Sequence, residues 1–368
     1  MKKKLKMVIS SLGSGGAETV FKTLFLYFKR EIDVQGFALS CKCPQDPIFQ
    51  EEEIFCLSSK ESKAQGLFRL FLLFYKQRKD PEVCYLIFNP HWVVFLTLLK
   101  SILPGCDNKL VFRSINTLSI SLGSHKSFVF RHIIRHVMPF ALKRVDGVIC
   151  QSQGMAKDLM YHFHLSEMKI RVIHNPVADR FSLIARENAR HSSNINDSGY
   201  FLFVGKLEPQ KRPDLLLEVY KSYLDVTTNP FRLLIIGAGS MKSQLNEMVE
   251  ELLLKTYVDI CDSCNALEYR YSRAVATLLV SKYEGFPNVL VESIACGTPV
   301  VAFDCPSGPR EIVIDGVNGF LIQQDSVEKF VSAMQKISEL SFPADGVAAS
   351  VKSLNVDSLG REYLSFLG

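Results

Sequence analysis

The chain has 368 residues, 47% hydrophobic and 22% charged, a balance that excludes general disorder and is typical of a globular protein. Its length favours two domains with separate cores. Residues 1–180 hold 26 basic and 15 acidic residues, a net charge of +11, whereas the remainder carries −6. The first half is therefore a candidate for meeting phosphate, nucleic acid or an anionic membrane, and charge alone does not separate these from a solvated basic face.

The start of the chain and its ten cysteines indicate a cytoplasmic protein. The apolar stretch after the basic N-terminus ends at Ser10–Gly16, too early for a signal peptide, so reduced thiols are expected. Cys261 and Cys264 form a lone pair without a second pair or a nearby histidine, and we predict no metal site there. The longest uncharged run, Val83–Leu99, is broken by Asn89–His91 and predicts a strand and a helix instead of a membrane span.

Short aliphatic runs alternate with longer amphipathic segments. The strands predicted in the first half are Lys6–Ser10, Phe37–Cys41, Val83–Phe88, Leu110–Arg113, Gly147–Cys150 and Arg171–Ile173. Those predicted in the second half are Phe201–Val204, Arg232–Ile236, a strand near Val258, Ala276–Val280 and Pro299–Phe303. Helices are predicted around Ala17–Lys29, Asp214–Tyr223 and Ser240–Leu254. This alternation predicts an α/β fold with two doubly wound parallel sheets, covered by helices on both faces.

The domain boundary is predicted at the polar stretch His191–Gly199. We assign residues 1–180 to a Rossmann-like N-terminal domain, 181–199 to a linker, and 200–345 to a Rossmann-like C-terminal domain. Residues 346–368 are expected to form a C-terminal helix that packs back on the N-terminal domain. Ligands of such sheets bind outside the carboxyl ends of the strands, so the expected site is a cleft between the domains.

A glycine-rich loop, Ser10–Glu18, follows the first predicted strand and opens a helix. Its glycines allow backbone amides to approach a phosphate at the helix N-terminus, although a simple tight turn needs the same residues. A nicotinamide-dependent dehydrogenase is disfavoured, because Glu18 stands where the last glycine of that fingerprint belongs. The second strand also lacks the expected acidic residue at its end, near Ala38–Cys41.

A cationic turn, Val204–Asp214, follows the first strand of the second half. It contains Lys206, Lys211 and Arg212, three cations that can neutralise a diphosphate without a metal. Pro213 indicates a helix start beside Arg212, and cations are unfavourable at a helix N-terminus. A bound anion is therefore favoured over a solvated basic turn.

A pair of glutamates, Glu284 and Glu292, flanks a predicted helix start at Pro287 and Asn288. The backbone amides of Asn288, Val289 and Leu290 are expected to be free and to face the same cleft as the cationic turn. Two carboxylates so placed, among apolar and glycine residues, can bind different hydroxyls of an extended sugar nucleotide. A small-residue loop, Asp304–Ile312, is expected at the same sheet edge.

Taken together, these motifs resemble glycosyltransferase family 4, the retaining enzymes of the GT-B fold. The resemblance covers about Met7 to Leu321, and its most specific mark is the spacing of Glu284 and Glu292. Segment Cys305–Ile312 is similar to bacterial transferases that move hexose or N-acetylhexosamine onto polyprenyl-diphosphate-linked or lipopolysaccharide acceptors. The resemblance implies two Rossmann-like domains that face a cleft.

The resemblance also implies roles for single residues. Lys206 and Lys211 would hold the donor diphosphate, although the family more often has arginine at position 206. Glu284 would contact the donor sugar and Glu292 the ribose. The donor-binding set implied by the family comprises Gly15, Gly16, Glu18, Lys206, Lys211, Asn288, Val289, Leu290 and Glu292.

Many relatives have a histidine near the reacting carbon, after a strand of the first domain. The comparable segment here, Phe112–Asn116, has none, so Arg113 and Asn116 are the catalytic substitutes, beside Glu284, Lys211 and Lys206. His91 is a minor candidate, since a lone histidine is more often structural.

The implied reaction is front-face displacement with retention, in which a cationic cradle stabilises the departing diphosphate. No metal and no cofactor is expected; the donor is a nucleotide sugar, expected to be UDP-linked. The expected acceptor is a lipid-linked or oligosaccharide glycan, and no nucleic-acid partner is expected. A phosphorylase, a nucleotide-sugar epimerase and a non-catalytic membrane-bound sugar-nucleotide sensor are the alternatives.

Two segments combine basic and apolar residues, Gly66–Lys79 and His125–Arg144. Such helices can lie in an anionic bilayer interface, where a lipid-linked acceptor is available. They can equally be core-packing helices with a basic outer face. We expect peripheral binding to the inner membrane.

Overall fold

The computed structural model describes residues 4–13, 15–41, 54–58, 63–123, 128–181, 199–262 and 266–368. The chain divides into two compact units. The first unit comprises Met1–Pro176 together with Val356–Gly368, and the second comprises Val177–Asn355.

The described part of the first unit contains a seven-stranded parallel sheet of order β3-β2-β1-β4-β5-β6-β7. Its strands are β1 (Lys4–Leu12), β2 (Asp33–Cys41), β3 (Ile54–Cys56), β4 (Val83–Ile87), β5 (Lys109–Arg113), β6 (Gly147–Cys150) and β7 (Ile170–Val172). The helices that precede Pro176 in this unit are α1 (Gly16–Glu31), α2 (Lys63–Gln77), α3 (Pro90–Ile102), α4 (Leu118–Gly123), α5 (Phe128–Arg144) and α6 (Gln153–Phe163). Every residue of β4 and β6 is buried, as expected for a parallel sheet covered on both faces.

The described part of the second unit contains a six-stranded parallel sheet of order β10-β9-β8-β11-β12-β13. Its strands are β8 (Tyr200–Val204), β9 (Arg232–Ile236), β10 (Val258–Cys261), β11 (Ala274–Leu279), β12 (Val300–Phe303) and β13 (Gly319–Ile322). Its helices are α7 (Pro213–Asp225), α8 (Lys242–Glu251), α9 (Leu267–Arg273), α10 (Asn288–Ala295), α11 (Pro309–Ile312), α12 (Val327–Glu339) and α13 (Ala344–Ala349).

The last helix, α14 (Val356–Leu367), returns to the first unit and packs on α1. Its Tyr363 is fully buried, with its ring centroid 6.1 Å from that of Phe28. A β-carbon at Gly360 would lie 2.3 Å from the ring of Tyr27, so only glycine allows this close approach. The ammonium of Lys109 donates to the carbonyl of Phe366 at 2.9 Å.

The predicted α/β class is confirmed, because each unit contains a doubly wound parallel sheet. In each sheet the strand order reverses once, between β1 and β4 and between β8 and β11. These two switch points are where doubly wound sheets bind ligands. The short strands β3 and β13 were not among the predicted strands.

The observed division of the chain differs from the expected one, in which the N-terminal domain ended at residue 180 and the C-terminal domain ran from residue 200 to residue 345. The second unit begins at Val177, whose N–H donates to the carbonyl of Leu354 at 2.9 Å, and it ends at Asn355. Residues 346–355 belong to it because the buried Asn318 donates to the hydroxyl of Ser350 at 2.9 Å. Within the expected linker, residues 182–198 lie outside the described residues.

In the described part of the chain, no helix has both the length and the apolar character needed to cross a membrane.

Candidate functional site

The cationic turn after β8 is held in place by the backbone of the next loop. The N–H of Gly205 donates to the carbonyl of Ile236 at 3.0 Å, and that of Leu207 donates to Ala238 at 2.9 Å. A β-carbon at Gly237 would lie 1.8 Å from the carbonyl oxygen of Gly205, so the two loops meet backbone to backbone.

Gly237 and Gly239 were missed as site residues by the sequence reasoning. A β-carbon at Gly239 would lie 2.3 Å from the carbonyl oxygen of Leu207. Gly237 directly follows the strand Arg232–Ile236 and Gly239 lies two residues later, and this position at a strand end was the signal that could have found them.

Lys211 and Glu284 form an ion pair at the switch point of the second sheet. The ammonium Nζ of Lys211 donates to Oε1 of Glu284 at 2.6 Å, and Glu284 is only 4% exposed. Gln210 joins the turn to the loop after β11, because its side chain donates to the carbonyl of Tyr283 at 2.9 Å and its carbonyl accepts from Lys282 at 2.8 Å. The structure therefore brings the cationic turn and the first glutamate of the pair together.

The other two cations of the turn differ in availability. Lys206 is exposed, and its ammonium has no partner among the residues that the structure describes. Arg212 has a left-handed backbone with φ of 51° at the start of α7, and its guanidinium pairs with Asp325. Of the three cations, Lys206 is thus the one without an ion-pair partner among the described residues, whereas Lys211 pairs with Glu284 and Arg212 with Asp325.

The small-residue loop after β12 packs on the loop that carries Glu284. Gly308 has φ of +95°, and a β-carbon there would lie 2.9 Å from the carbonyl oxygen of Gly285. The N–H of Glu284 donates to the carbonyl of Pro306 at 2.7 Å. Cys305 is buried beside Glu284, and burial raises the pKa of its thiol well above the ordinary value.

Helix α10 begins at Asn288, as its Pro287-Asn288 start predicted. The N–H of Leu290 donates to the carbonyl of Pro287 at 3.1 Å, so the expectation of a free amide at Leu290 is corrected. Asn288 and Val289 lie half-buried in the first turn of the helix.

Glu292 lies one turn further along α10 and is bound within the protein. The hydroxyl of Tyr271 donates to Oε2 of Glu292 at 3.0 Å. Burial raises the pKa of Glu292 above its ordinary value, while the hydrogen bond from Tyr271 and the charge of Arg180 lower it.

A polar cluster occupies the switch point of the first sheet. The hydroxyl of Ser10 lies 2.8 Å from Nε2 of His91, and the indole Nε1 of Trp92 donates to the same hydroxyl at 3.1 Å. Asn89 accepts from the N–H of Ser10 at 2.8 Å instead of capping α3. His91 therefore lies beyond the end of β4, at the switch point of the first sheet, and its role as a minor catalytic candidate stays a prediction.

Gly15 and Gly16 begin α1 at the same end of the sheet. Gly15 is the residue before the first helical turn, and a β-carbon there would lie 2.4 Å from the carboxylate of Glu18. The carboxylate of Glu18 therefore folds back over the start of its own helix.

Arg113 requires a correction, because the structure buries it in the interior of the first unit. It is 1% exposed, its Nε donates to the hydroxyl of Tyr363 at 2.9 Å, and its Nη2 donates to Asn175. Its guanidinium also lies 4.8 Å from the centroid of the Phe88 ring. Its interactions join the sheet to α14, so Arg113 supports the architecture and is not available as a catalytic group.

Asn116 lies half-buried beyond the end of β5, and its carbonyl accepts from the hydroxyl of Ser114 at 2.9 Å. Cys261 ends β10, and Cys264 lies outside the described residues. Across the described ranges, no group of three or more His, Cys, Asp or Glu side chains could hold a metal ion.

Comparison with known proteins matches both halves of the chain to glycosyltransferase families. The model described as "Glycosyltransferase Family 4" matches residues 14–181, and the one described as "Glycosyl transferases group 1" matches residues 185–345. The chain is 27% identical to the N-acetylgalactosamine-N,N'-diacetylbacillosaminyl-diphospho-undecaprenol 4-alpha-N-acetylgalactosaminyltransferase of Campylobacter jejuni, with 91% of this chain and 90% of that protein covered.

Two solved structures are similar over 99% of this chain and 99% of their own. Anabaena HepE in complex with UDP-glucose has a TM-score of 0.80 at 17% identity. The apo form of the lipopolysaccharide outer core galactosyltransferase WaaB has a TM-score of 0.73 at 20% identity.

Proposed function

Because the chain belongs to glycosyltransferase family 4, we propose that it transfers a hexose or N-acetylhexosamine from a UDP-sugar to a polyprenyl-diphosphate-linked or lipopolysaccharide-type glycan. The acceptor class is supported by the name of the Campylobacter jejuni relative, which acts on a diphospho-undecaprenol glycan. The donor class is supported by the UDP-glucose complex of Anabaena HepE.

The observation that carries this proposal is the Lys211–Glu284 pair at the switch point of the second sheet. The carboxyl group of Glu284 is buried beside the ammonium of Lys211, and its oxygens can accept hydrogen bonds from the hydroxyls of a sugar. Lys211 and the unpaired, exposed Lys206 supply positive charge for a diphosphate, with no metal required for that neutralisation.

The proposed reaction is a substitution at the anomeric carbon with retention of configuration. The bond between C1 of the sugar and the β-phosphate oxygen breaks, and its electron pair leaves with the nucleoside diphosphate. The acceptor oxygen forms a new bond to C1 on the same face, and the proton of its hydroxyl passes to the departing phosphate oxygen. Lys206 and Lys211 stabilise the negative charge that develops on the leaving group.

The test is nucleotide release from UDP-, GDP- and ADP-sugars, with and without a membrane lipid extract. We expect release from one donor that requires the extract. Removing one charged donor to the leaving group costs about 10²–10³ in rate in comparable sites, and we expect such a loss for Lys211→Ala. The matched control is Lys221→Ala, which removes an exposed lysine of the same unit.

Other outcomes would contradict the proposal in distinguishable ways. Release that requires inorganic phosphate would indicate a phosphorylase, and conversion of the donor sugar without an acceptor would indicate an epimerase. Binding of a nucleotide sugar with no turnover of any donor would indicate a sensor. The anomeric configuration of the product, read by NMR, tests retention.

We also propose that the first unit binds an anionic inner-membrane surface through α2. The buried face of this helix contains Leu70 and Phe74, whereas Phe68 and Tyr75 are 60% and 42% exposed. The exposed Arg69 adds a cation to this outer face. Aromatic side chains among cations are the pattern that inserts into an anionic interface.

Flotation with vesicles tests the membrane proposal. We expect binding to phosphatidylglycerol-containing vesicles that weakens at high salt, and weaker binding for the double variant Phe68→Ser, Arg69→Ser. Equal recovery of both proteins with anionic and zwitterionic vesicles would contradict it. Of the second basic segment, residues 124–127 lie outside the described residues.

A further inference from the structure

The side chain of Tyr271 is fixed by packing in the second unit, next to Glu292. It is fully buried, and its ring centroid lies 5.9 Å from that of Phe181 in an edge-to-face arrangement. The hydroxyl of Thr298 donates to its backbone carbonyl at 2.7 Å. A phenol fixed by packing and by a backbone hydrogen bond is a rigid donor.

The hydroxyl of Tyr271 donates a hydrogen bond to only one of the two carboxylate oxygens of Glu292. The phenol donates to Oε2 at 3.0 Å, and Oε1 has no hydrogen-bond partner in the part of the chain that the structure describes. An unrestrained glutamate side chain loses rotamer freedom when it binds a ligand. The bond from Tyr271 removes that freedom beforehand.

We propose that Tyr271 is a positioning residue of the nucleotide subsite, which fixes Glu292 so that its Oε1 accepts a hydrogen bond from a ribose hydroxyl. This inference rests on the proposed function. Glu292 lies four residues, about 6 Å along the axis, from Asn288 at the start of α10. In a nucleoside diphosphate the ribose is joined directly to the diphosphate, so a hydroxyl acceptor one turn from the helix start matches its geometry.

Two neighbouring groups oppose the larger effect of burial on the carboxyl group of Glu292. Burial raises the pKa of Glu292, while the hydrogen bond from Tyr271 and the positive charge of Arg180 lower it. Burial and the nearby carboxylate of Glu292 raise the pKa of Tyr271, so its hydroxyl remains a hydrogen-bond donor at neutral pH. Tyr271, on α9, and Arg180, beside Phe181, are the ionisable groups that face Glu292 within the described residues.

The inference is tested by a binding cycle with two ligands. The dissociation constants of UDP and of 2',3'-dideoxy-UDP are measured by calorimetry for the wild type, Tyr271→Phe and Glu292→Gln. We expect Tyr271→Phe to weaken the binding of UDP about tenfold, a loss typical of a hydrogen bond to a charged group. The affinity for dideoxy-UDP should change by less than about twofold.

If Tyr271 had a purely structural role, Tyr271→Phe would weaken the binding of both ligands equally, and this result would overturn the inference. Unchanged UDP affinity in Tyr271→Phe, with a loss in Glu292→Gln, would also overturn it. Tyr220→Phe is the matched control, because its hydroxyl donates to the carbonyl of Phe231 at 2.9 Å in the same unit. We expect it to leave the affinity for both ligands unchanged.

A pH series adds a readout that loss of packing does not move. Since the hydrogen bond from Tyr271 lowers the pKa of Glu292, its removal should shift the acid limit of UDP binding to higher pH. A wild type that binds no nucleoside diphosphate would overturn the proposed function, and with it this inference. That outcome is distinct from every outcome of the Tyr271 variants.

Discussion

At the scale of single residues, the ion pair of Lys211 and Glu284 joins a buried carboxylate to a partly exposed ammonium. Glu284 is 5% exposed at its side chain and Lys211 is 21% exposed, so each charge depends on the other for compensation. The stability of the second unit therefore depends on both partners of the pair.

Removing the lysine should destabilise the second unit. Lys211→Met leaves the buried carboxylate of Glu284 without its cation, and we expect a loss of about 2–3 kcal/mol in the free energy of unfolding. The control Lys221→Met breaks an exposed pair with Asp225 and should cost less than about 1 kcal/mol. Chemical denaturation measures both, and equal losses would show that Lys211 is not compensating a buried charge.

Glu292 gives a pH-dependent prediction. Burial raises its pKa in the folded protein above the ordinary value of 4.5, so its stabilising contribution is present below that value and is lost as pH rises through the raised pKa. Glu292→Gln has no such ionisation. We therefore expect the melting temperature of Glu292→Gln, relative to wild type, to increase as pH rises from about 4 to 7. A difference that is constant over this range would contradict the prediction.

At the scale of elements, the site of the second unit is an assembly of loops that follow neighbouring strands. The loop after β9 meets the cationic turn at Gly237, and the loop after β12 meets the loop of Glu284 at Gly308. At both contacts backbone approaches backbone more closely than any side chain permits. The positions of Lys211 and Glu284 therefore depend on glycines that carry no chemistry of their own.

Gly237→Ala should disturb this assembly. Its β-carbon would lie 1.8 Å from the carbonyl oxygen of Gly205, and relieving that overlap requires movement of the cationic turn. We expect a loss of about 2–3 kcal/mol in stability and weaker nucleotide binding. The matched control is Gly346→Ala in α13, where the nearest atom would lie 4.0 Å away and the change should be neutral or slightly stabilising. Similar melting temperatures for the two variants would contradict this account.

At the scale of the whole molecule, the chain crosses between its units twice. It leaves the first unit after Pro176 and returns at Val356, so α14 completes a core that began with β1. The hydroxyl of Tyr363 in α14 accepts a hydrogen bond from Arg113, which lies 250 residues earlier in the chain. The first unit is therefore incomplete until the last residues of the chain are in place.

Tyr363→Ala should weaken the first unit selectively. Truncating a fully buried aromatic side chain costs about 3–5 kcal/mol, and here the change also removes the hydrogen bond to Arg113. Hydrogen exchange read by mass spectrometry should show faster exchange in β1, β4 and β5 and little change in β8 and β11. The control Tyr161→Ala, at a side chain that is 78% exposed, should change neither unit. Faster exchange confined to the second unit would contradict the assignment of α14.

Local patterns in the sequence determined the fold class and the main motifs. Strands such as Arg232–Ile236 and Gly147–Cys150 were predicted with the observed limits, because a buried strand is a continuous apolar run that neighbouring residues reveal. The start of α10 at Asn288 followed from Pro287 in the same way. Each of these signals lies within a few residues of the feature that it predicts.

Tertiary structure alone decided which candidate residues are available. Arg113 follows a strand as a catalytic group would, yet its partner Tyr363 is supplied by the far end of the chain. The amide of Leu290 is used within its own turn, and the second unit extends to Asn355 because Asn318 binds Ser350. Periodicity and motif spacing report on neighbours in the chain, whereas burial, pairing and unit limits arise from contacts between residues that only the folded chain brings together.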